Sequence, residues 1–292
     1  MKTILFAKKT SDSSVEKIQQ IVDLTYKYST KVFISKETYY SLGNEIAFPQ
    51  SVYIVENAGE IEGNADFLIS IGGDGTFLDS LSIVKSSQLP ILGINTGRLG
   101  FLSNVNIDKA EEAFILLKNK QFDIKKRILL HLKPDIIAGE NYALNDISIQ
   151  RTHDGGSLIT IDVTINKEYM NTYWCDGLII ATPTGSTAYS LGCGGPIIVP
   201  SAEVFVLTPI ASHSLTVRPL VIPSDSEIEI KVGSRNRQFL LSIDSSSAIV
   251  DAQQTITITK ASFSINTVLL KNQNFYKTIR HKLMWGLDRR KS

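Results

Sequence analysis

A glycine-rich turn between an apolar run and a helical pattern contains residues that suit a phosphate. The run DFLISI ends at GGDG, residues 72–75, and TFLDSLSIVK follows with helical spacing. Glycines let backbone N–H groups approach a ligand closely, and the start of a helix favours an anion. We therefore predict that Gly72, Gly73 and Thr76 bind phosphate oxygens.

The aspartate in this turn is not explained by phosphate binding alone. Asp74 would repel a bare phosphate at ~4 Å, and the turn matches neither the Walker A motif nor the GxGxxG dinucleotide motif. Its carboxylate therefore requires a metal ion or a hydroxyl group whose proton it accepts. A carboxylate beside a bound phosphate and an alcohol is the arrangement used for phosphoryl transfer. The alternative is a structural turn in which Asp74 caps the helix.

Further polar segments follow or precede other strand-like runs. PILGI ends in NTGRLGF, residues 95–101, where the guanidinium of Arg98 suits a bidentate contact with phosphate. ALNDISIQ places Asn145 and Asp146 side by side, where both face one ligand only if they lie in a turn; a simple Asx turn is the alternative. TPTGSTAYS, residues 182–190, concentrates short hydroxyl side chains that suit ribose and phosphate, or that form a polar turn.

The composition excludes several classes of protein. The chain has 292 residues, 43% of them hydrophobic and 20% charged, and a net charge of +1, so no overall field attracts nucleic acid or an anionic membrane. The two cysteines and four histidines show no metal-ligand spacing, and we expect reduced thiols in a cytoplasmic protein without a protein-built metal site. No apolar run approaches the ~20 residues that span a bilayer, and the N-terminal run is too short for a secretory signal.

Two kinds of scaffold are needed to position these segments. Through residue 120, short apolar runs alternate with helical patterns, which predicts a parallel doubly wound α/β sheet. GGDG and NTGRLG then lie at the carboxyl ends of strands and point at one crevice. Beyond that point the sequence shows period-two alternation, as in SEIEIKV at 226–232 and RQFLLSID at 237–244, which predicts a β-rich second half.

Two helical patterns carry specific expectations. TFLDSLSIVK has helical spacing at Phe77, Leu81 and Val84. The tail NFYKTIRHKLMWG predicts a helix with Phe275, Ile279 and Leu283 in line, a face that another surface must cover.

Three motifs together resemble a known family. GGDGT at 72–76, the adjacent Asn145 and Asp146, and DGLIIATPTGSTAYSLGCGGP at 176–196 resemble the signature motifs of NAD kinases, in the same order. The resemblance covers about residues 60 to 250. It implies phosphorylation of the adenosine 2′-hydroxyl of NAD, with ATP or inorganic polyphosphate as donor and a divalent cation, Mg²⁺, carried mainly by the donor phosphates.

The resemblance also implies a domain organisation and an assembly. It places an α/β domain at residues 1–121 and 268–292, with the C-terminal helix returning to it, and a β-rich domain carrying the NAD-binding segments at 122–267. Members of the family are commonly homodimers or homotetramers, and we expect one of these. The donor, the preference for NAD or NADH, and feedback by NADPH are left open.

Carried over position by position, the resemblance assigns roles to individual residues. Asp74 is the base that takes the 2′-hydroxyl proton. Contacts with NAD are implied for Gly75 beside the nucleotide, Phe101 near the adenine, Asn145 and Asp146 on ribose hydroxyls, Asp176 on the nicotinamide side, Thr187, Ala188, Tyr189, Ser190 and Leu191 around the ribose and amide, and Ala211 in the nicotinamide pocket.

The chain departs from the family pattern at two positions. Trp174 stands where several members have a basic residue, and Ser246 replaces a longer amide side chain found in many bacterial members. Two other functions remain as alternatives, a lipid kinase of the GGDG type and a catalytically silent NAD(P)-binding regulator. The sequence has no basic amphipathic helix for membrane docking, which speaks against the first, and the retention of Asp74 speaks against the second.

Overall fold

The chain divides into two units, each with its own hydrophobic core. The computed structural model describes residues 1–9, 14–48, 52–56, 60, 65–97, 100–137, 139, 141–152, 157–271 and 273–285. The first unit comprises Met1–Lys126 and Ile265–Ser292, and the second comprises Arg127–Ser264. The tail therefore belongs to the first unit, with the N-terminal part of the chain.

A parallel sheet forms the centre of the first unit. Its strands are β1 (Lys2–Ala7), β2 (Lys31–Ser35), β3 (Tyr53–Val55), β4 (Phe67–Ile71), β5 (Ile91–Asn95) and β6 (Val105–Asn106). The spatial order is β3-β2-β1-β4-β5, with β6 beside β5, and every pairing is parallel. Strands β4 and β5 are buried along their whole length because helices cover such sheets on both faces. The predicted doubly wound architecture is confirmed, and the order reverses beside β4, where such sheets bind ligands.

Helices occupy the connections and the C-terminal tail. They are α1 (Val15–Tyr28), α2 (Lys36–Leu42), α3 (Asp74–Asp79), α4 (Leu81–Val84), α5 (Ala110–Lys118), α6 (Tyr189–Gly192) and α7 (Phe275–Leu283). Helices α1 and α5 bury one face each in the core of the first unit, through Ile18 and Val22 of α1 and Phe114 and Leu117 of α5. These positions repeat at helical spacing.

Both helical patterns form helices, and the structure adds detail to each. TFLDSLSIVK forms two short helices, because the helix is interrupted at Ser80 between α3 and α4. The Ser80 hydroxyl donates to the Phe77 carbonyl oxygen at 2.6 Å, a local bond that competes with helix propagation. In the tail, Ile279 is buried but Leu283 is the last helical residue and is exposed.

The second unit is built from antiparallel strands. It contains β8 (Tyr142–Ala143), β9 (Asp146–Arg151), β10 (Ile159–Ile165), β11 (Glu168–Cys175), β12 (Gly177–Ala181), β13 (Val204–Ile210), β14 (Leu220–Pro223), β15 (Ile228–Gly233), β16 (Gln238–Ile243) and β17 (Ser246–Asp251). Two longer strands, β7 (Phe122–Lys133) and β18 (Ile256–Leu270), continue from one unit into the other along the chain.

Two sheets share the core of the second unit. One has the order β11-β10-β15-β18, and the other has the order β14-β13-β12-β9-β16-β17. Alternate residues face inward from both sheets, including Ile161 and Val163 from the first and Ile149, Phe205 and Phe239 from the second. The period-two alternation at 226–232 is confirmed, since Ile228, Ile230 and Val232 are all buried. The predicted β-rich second half is therefore confirmed.

We predict that Phe114 is a main stabilising side chain of the first unit. Its ring is fully buried and stacks on Tyr28 with the centroids 5.8 Å apart. Phe114→Ala should lower the free energy of unfolding by about 3–5 kcal/mol, because it leaves a cavity in the core. Urea denaturation followed by circular dichroism measures the change. The neighbouring Ile115 is 43% exposed, and Ile115→Ala should cost about 0.5 kcal/mol or less. Equal losses in the two variants would contradict the prediction.

Candidate active site

Asp74 is the first residue of α3, and its carboxylate binds the loop that follows β5. Oδ1 accepts hydrogen bonds from the backbone N–H groups of Leu102 at 3.0 Å and Ser103 at 2.8 Å, and Oδ2 accepts one from Phe101 at 2.8 Å. The N-cap of α3 is Gly73, without a side-chain capping bond. The alternative in which Asp74 merely caps its helix is therefore wrong, because its carboxylate holds a different loop.

One acceptor position of this carboxylate remains available. Each carboxylate oxygen has about two lone-pair directions. The amides of Leu102 and Ser103 use both directions of Oδ1, whereas Oδ2 accepts a hydrogen bond from the Phe101 amide alone among the residues that the structure describes. The Asp74 side chain is 32% exposed, so a hydroxyl group can reach Oδ2 from solvent.

The glycines around Asp74 differ in how much space a side chain would have at each position. Gly72 has φ +149°, and a Cβ there would lie 2.4 Å from Thr76 Oγ1, so Thr76 is buried against it. A Cβ on Gly100 would lie 1.8 Å from Asp74 Oδ1. Gly73 and Gly75 have open space where a Cβ would point, and both are exposed. Gly73 and Gly75 are thus accessible to a ligand, whereas Thr76 packs inside the turn.

A lysine that the sequence motifs do not indicate lies beside Asp74. Lys282 on α7 has its Nζ 3.9 Å from Asp74 Oδ2 and 4.2 Å from the centroid of the half-buried Phe101 ring. The sequence gives one signal for this position: Lys282 follows the buried Ile279 by three residues and therefore lies on the same face of α7. Arg98, the predicted phosphate ligand, lies outside the described residues.

In the second unit, a carboxylate also binds three consecutive amides. Asp244 accepts hydrogen bonds from the N–H groups of Asn145 at 2.8 Å and Asp146 at 3.0 Å through Oδ1, and of Leu144 at 2.8 Å through Oδ2. Asp244 N donates in return to Asp146 O at 3.0 Å. These bonds hold Asn145 in the turn before β9 and Asp146 at the first position of β9. Sequence reasoning missed Asp244 because it lies 98 to 100 residues away from the amides it binds.

Burial changes the titration of this pair of acids. The pKa of Asp146 is raised to about 7, first by burial and then by the negative charge of Asp244. Burial also raises the pKa of Asp244 to about 6, against the three amide hydrogen bonds, which lower it. Asp146 is 8% exposed. A carboxylate kept in such a place gains most from a ligand that donates hydrogen bonds to it.

The hydroxyl-rich loop packs onto the same turn, and most of its hydroxyl groups bind the protein itself. Thr182 Oγ1 donates to Leu144 O at 2.5 Å, Ser186 Oγ donates to Pro183 O at 2.7 Å, and the hydroxyl groups of Ser190 and Thr208 form a hydrogen bond at 2.8 Å. The predicted supply of free hydroxyl groups is therefore smaller than the sequence indicates.

The remaining residues of this loop are more accessible. Thr187, Ala188 and Leu191 are half-buried, and Tyr189 is exposed. Gly185 is required by packing, since a Cβ there would lie 2.0 Å from Asn145 O. The structure thus brings the loop and the Asn145–Asp146 turn together.

Asp176 and Ala211 lie near each other at strand ends. Asp176 N donates to Ile210 O at 3.0 Å, and Ala211 follows with φ 46°. Asp176 Oδ1 accepts from Arg151 Nε at 2.7 Å, so a basic side chain from β9 reaches this corner. Trp174 is 58% exposed on β11. The basic side chain at this corner is Arg151, and it is paired with Asp176.

The described residues contain neither a cluster of metal ligands nor a membrane-spanning helix. No group of three or more His, Cys, Asp or Glu side chains there is arranged to hold a metal ion. Within the same residues, no helix combines the length and apolar character needed to cross a membrane.

Two protein-family models match the chain over most of its length. The ATP-NAD kinase N-terminal domain matches residues 4–121, and the ATP-NAD kinase C-terminal domain matches residues 144–270. The chain belongs to the NAD kinase family. The resemblance carried by GGDGT, by Asn145 and Asp146, and by the segment from Asp176 is confirmed, and the chain is a phosphotransferase.

Relatives of this NAD kinase family member are close in sequence and length. The NAD kinase of Flavobacterium psychrophilum is 48% identical over 235 residues, which are 79% of this chain and 80% of the relative. The NAD kinase of Bacteroides fragilis is 42% identical over 286 residues, which are 97% of this chain and 96% of the relative.

Solved structures of the family have the same fold. Yeast NADH kinase complexed with NADH has a TM-score of 0.85 at 26% identity, over 100% of this chain and 90% of that chain. An NAD kinase from Archaeoglobus fulgidus in complex with ATP has a TM-score of 0.72 at 24% identity, over 97% of this chain and 99% of that chain.

We predict that Gly100 is required for the position of the Asp74 carboxylate. Gly100→Ala places a Cβ on Oδ1 and should lower the free energy of unfolding by about 1–3 kcal/mol through the resulting overlap. Gly75→Ala adds a Cβ in open space on α3 and should leave this free energy unchanged or raise it by up to ~1 kcal/mol. Chemical denaturation of both variants measures the difference. A Gly100→Ala variant as stable as wild type would contradict the geometry.

We predict that Asp146 reduces stability at neutral and alkaline pH. Its folded pKa of about 7 exceeds the ~4 of an unfolded aspartate, so the folded chain retains a proton that the unfolded chain has lost. The stability present at acid pH is therefore lost as the pH rises through about 7. Asp146→Asn should be more stable than wild type above this pH by about 1–3 kcal/mol, and the difference should shrink near pH ~5.

Unfolding in urea between these pH values measures this effect. The exposed Asp225→Asn is the matched control and should keep the pH dependence of wild type. A constant difference between Asp146→Asn and wild type at all pH values would refute the assignment.

Proposed function

We propose that this kinase transfers the γ-phosphoryl group of ATP to the adenosine 2′-hydroxyl of NAD, giving NADP. The observation that carries the proposal is Asp74, whose Oδ2 keeps one acceptor position beside accessible glycine backbone. The three amides that bind the carboxylate fix its direction before substrate arrives, so little reorganisation is needed during the reaction.

Asp74 acts as the general base in this reaction. The 2′-hydroxyl donates a hydrogen bond to Oδ2, its oxygen forms a bond to the γ-phosphorus, and the bond from that phosphorus to the ADP oxygen breaks. The hydroxyl proton passes to Asp74, and the electron pair of the broken bond leaves with ADP. Because the transition state of phosphoryl transfer is loose, the base accelerates the reaction by a factor of about 10²–10⁴. Positioning of the substrates supplies much of the remaining acceleration.

Backbone groups of Gly72 and Gly73 and the side chain of Arg98 bind donor phosphates. Thr76 contributes mainly by closing the turn, since its side chain is buried against Gly72. ATP is the proposed donor, and the Archaeoglobus fulgidus relative in complex with ATP supports this choice. A divalent cation that neutralises the phosphates would enter with ATP, because the Asp74 carboxylate already carries three amides and keeps little capacity for a metal.

The second unit binds NAD. Asn145 and the buried Asp146 bind the ribose hydroxyl groups, which donate to the Asp146 carboxylate and so favour its charged form. Tyr189 and the accessible part of its loop contact the ribose and amide. Asp176 and Ala211 contact the nicotinamide side. The adenine contact is assigned to Phe101, a residue of the first unit. NADH bound to the yeast relative supports a dinucleotide as the ligand.

The alternatives are less well supported. The relatives named above are NAD or NADH kinases, which argues against a lipid kinase. The placement of Asp74 argues against a silent regulator, because a regulator has no need of a carboxylate directed at a hydroxyl group. A homodimer or homotetramer and a cytoplasmic location stay predictions.

Formation of NADP by purified protein tests the proposal. With NAD, ATP and Mg²⁺, wild type should produce NADP that an NADP-specific dehydrogenase reduces, and Asp74→Asn should lower kcat by about 10²–10⁴. Asp79→Asn, on the same helix but paired with Lys8 at 2.9 Å, is the control and should retain activity. Polyphosphate and a diacylglycerol run in parallel distinguish the alternatives. Full NADP formation by a folded Asp74→Asn variant would show that Asp74 is not the base.

A further inference from the structure

The position of Lys282 is unusual for an ordinary ion pair. Its Nζ lies 3.9 Å from Asp74 Oδ2, beyond the usual N–H···O range of about 2.7–3.2 Å. The Asp74 carboxylate already accepts three amide hydrogen bonds. Lys282 therefore is not needed to satisfy Asp74, and it sits on the side of Oδ2, the oxygen that has acceptor capacity left.

Within the described part of the chain, the surroundings of Lys282 hold its ammonium group in place without using its N–H donors. The Phe101 ring lies 4.2 Å from Nζ, and this cation–π contact leaves the three donors of an ammonium group available. Ile279, three residues earlier on α7, is buried and orients that face of the helix. The Lys282 side chain is 24% exposed, so its charge is partly removed from water.

Partial burial has a consequence for titration. Burial lowers the pKa of Lys282 below its ordinary value, and the charge of Asp74 partly offsets this effect by raising it. Among the described residues, Asp74 is the charged group that acts on Lys282. A partly desolvated cation beside a proposed catalytic base is a candidate for function.

The proposed reaction requires a positive charge at this place. It brings a phosphoryl group with negative oxygens next to the Asp74 carboxylate, and like charges repel at this distance. A cation between them offsets the repulsion, and it interacts more strongly as charge develops on the transferred group. Lysine and arginine side chains have this role in other phosphoryl-transfer enzymes.

We propose that Lys282 is a further catalytic residue, which contacts an equatorial oxygen of the phosphoryl group during its transfer. The inference rests on the proposed function. As the 2′-oxygen bonds to phosphorus and ADP leaves, the hydroxyl proton passes to Asp74, and Lys282 remains protonated and transfers nothing. The Phe101 ring holds the ammonium group until the donor phosphate arrives.

Three variants on α7 test this role. Lys282→Met keeps most of the side-chain stem and removes the charge, and its kcat for NADP formation should fall by about 10²-fold. Its Kd for NAD, measured by calorimetry, should stay within about threefold of wild type, because the role is in the transition state. Lys282→Arg retains the charge and should recover most of the lost kcat. Lys277→Met removes an exposed lysine of the same helix and should leave kcat unchanged.

The pH dependence of kcat separates this role from a structural one. Wild type should lose activity at alkaline pH as the Lys282 ammonium group releases its proton. In Lys282→Arg this loss should move to higher pH or disappear, because a guanidinium stays protonated. A packing role for Lys282 would leave the alkaline profile the same in both proteins.

Several results would overturn the inference. A kcat of Lys282→Met within about threefold of wild type would show that the charge is not used. Equal losses of kcat in Lys282→Met and Lys282→Arg, with an unchanged alkaline profile, would assign Lys282 to packing. Should Lys282→Met fail to fold, as judged by circular dichroism, Lys282→Gln replaces it. Wild-type protein that forms no NADP would instead refute the proposed function, and with it this role.

Discussion

The binding of three consecutive amides by one carboxylate determines most of the candidate active site. Asp74 receives the N–H groups of Phe101, Leu102 and Ser103, which come 27 to 29 residues later in the chain. Buried amides without partners cost about 1–3 kcal/mol each, so this loop has few other stable positions. The constraint reaches Gly93 of β5 as well, where a Cβ would lie 2.7 Å from Ser103 Cα. The positions of the GGDG turn, of the loop that follows β5 and of the end of β5 therefore depend on one another.

In the second unit, too, one carboxylate binds three consecutive backbone amides. Asp244 binds the amides of Leu144, Asn145 and Asp146, and so fixes the backbone that carries the two adjacent side chains proposed to bind NAD. Gly185 then packs against Asn145 O, which seats the hydroxyl-rich loop on this turn. In both units, the carboxylate gives rigidity to a loop that would otherwise move.

This rigidity has a cost in stability. Asp146 is buried close to Asp244, and its raised pKa expresses the free energy needed to keep it charged. Lys282 is partly desolvated beside Asp74. Neither arrangement benefits the folded chain in the absence of a ligand. Both benefit a chain that must bind hydroxyl groups and phosphate, which is the usual reason why functional sites retain unfavourable charges.

The sequence by itself determined the architecture and the chemical motifs. Apolar runs alternating with helical patterns gave the parallel sheet, period-two alternation gave the β-rich unit, and GGDGT with the segment from Asp176 gave the family. These signals are local, because helix and strand periodicities and glycine turns depend on residues close together in the chain. The break at Ser80 is also local, but it depends on a single side-chain bond that periodicity does not show.

Tertiary structure alone decided how the motifs become sites. The partners in these sites come from distant parts of the chain. Ser190 bonds to Thr208, Arg151 bonds to Asp176, and Lys282 lies beside Asp74. The pairing of each carboxylate with its three amides is a contact of the same kind. The sequence separations of such contacts include 18 residues for Ser190 and Thr208 and 100 residues for Asp244 and Leu144. No local pattern encodes such partners, because they are selected by packing and by the requirement that buried polar groups be satisfied.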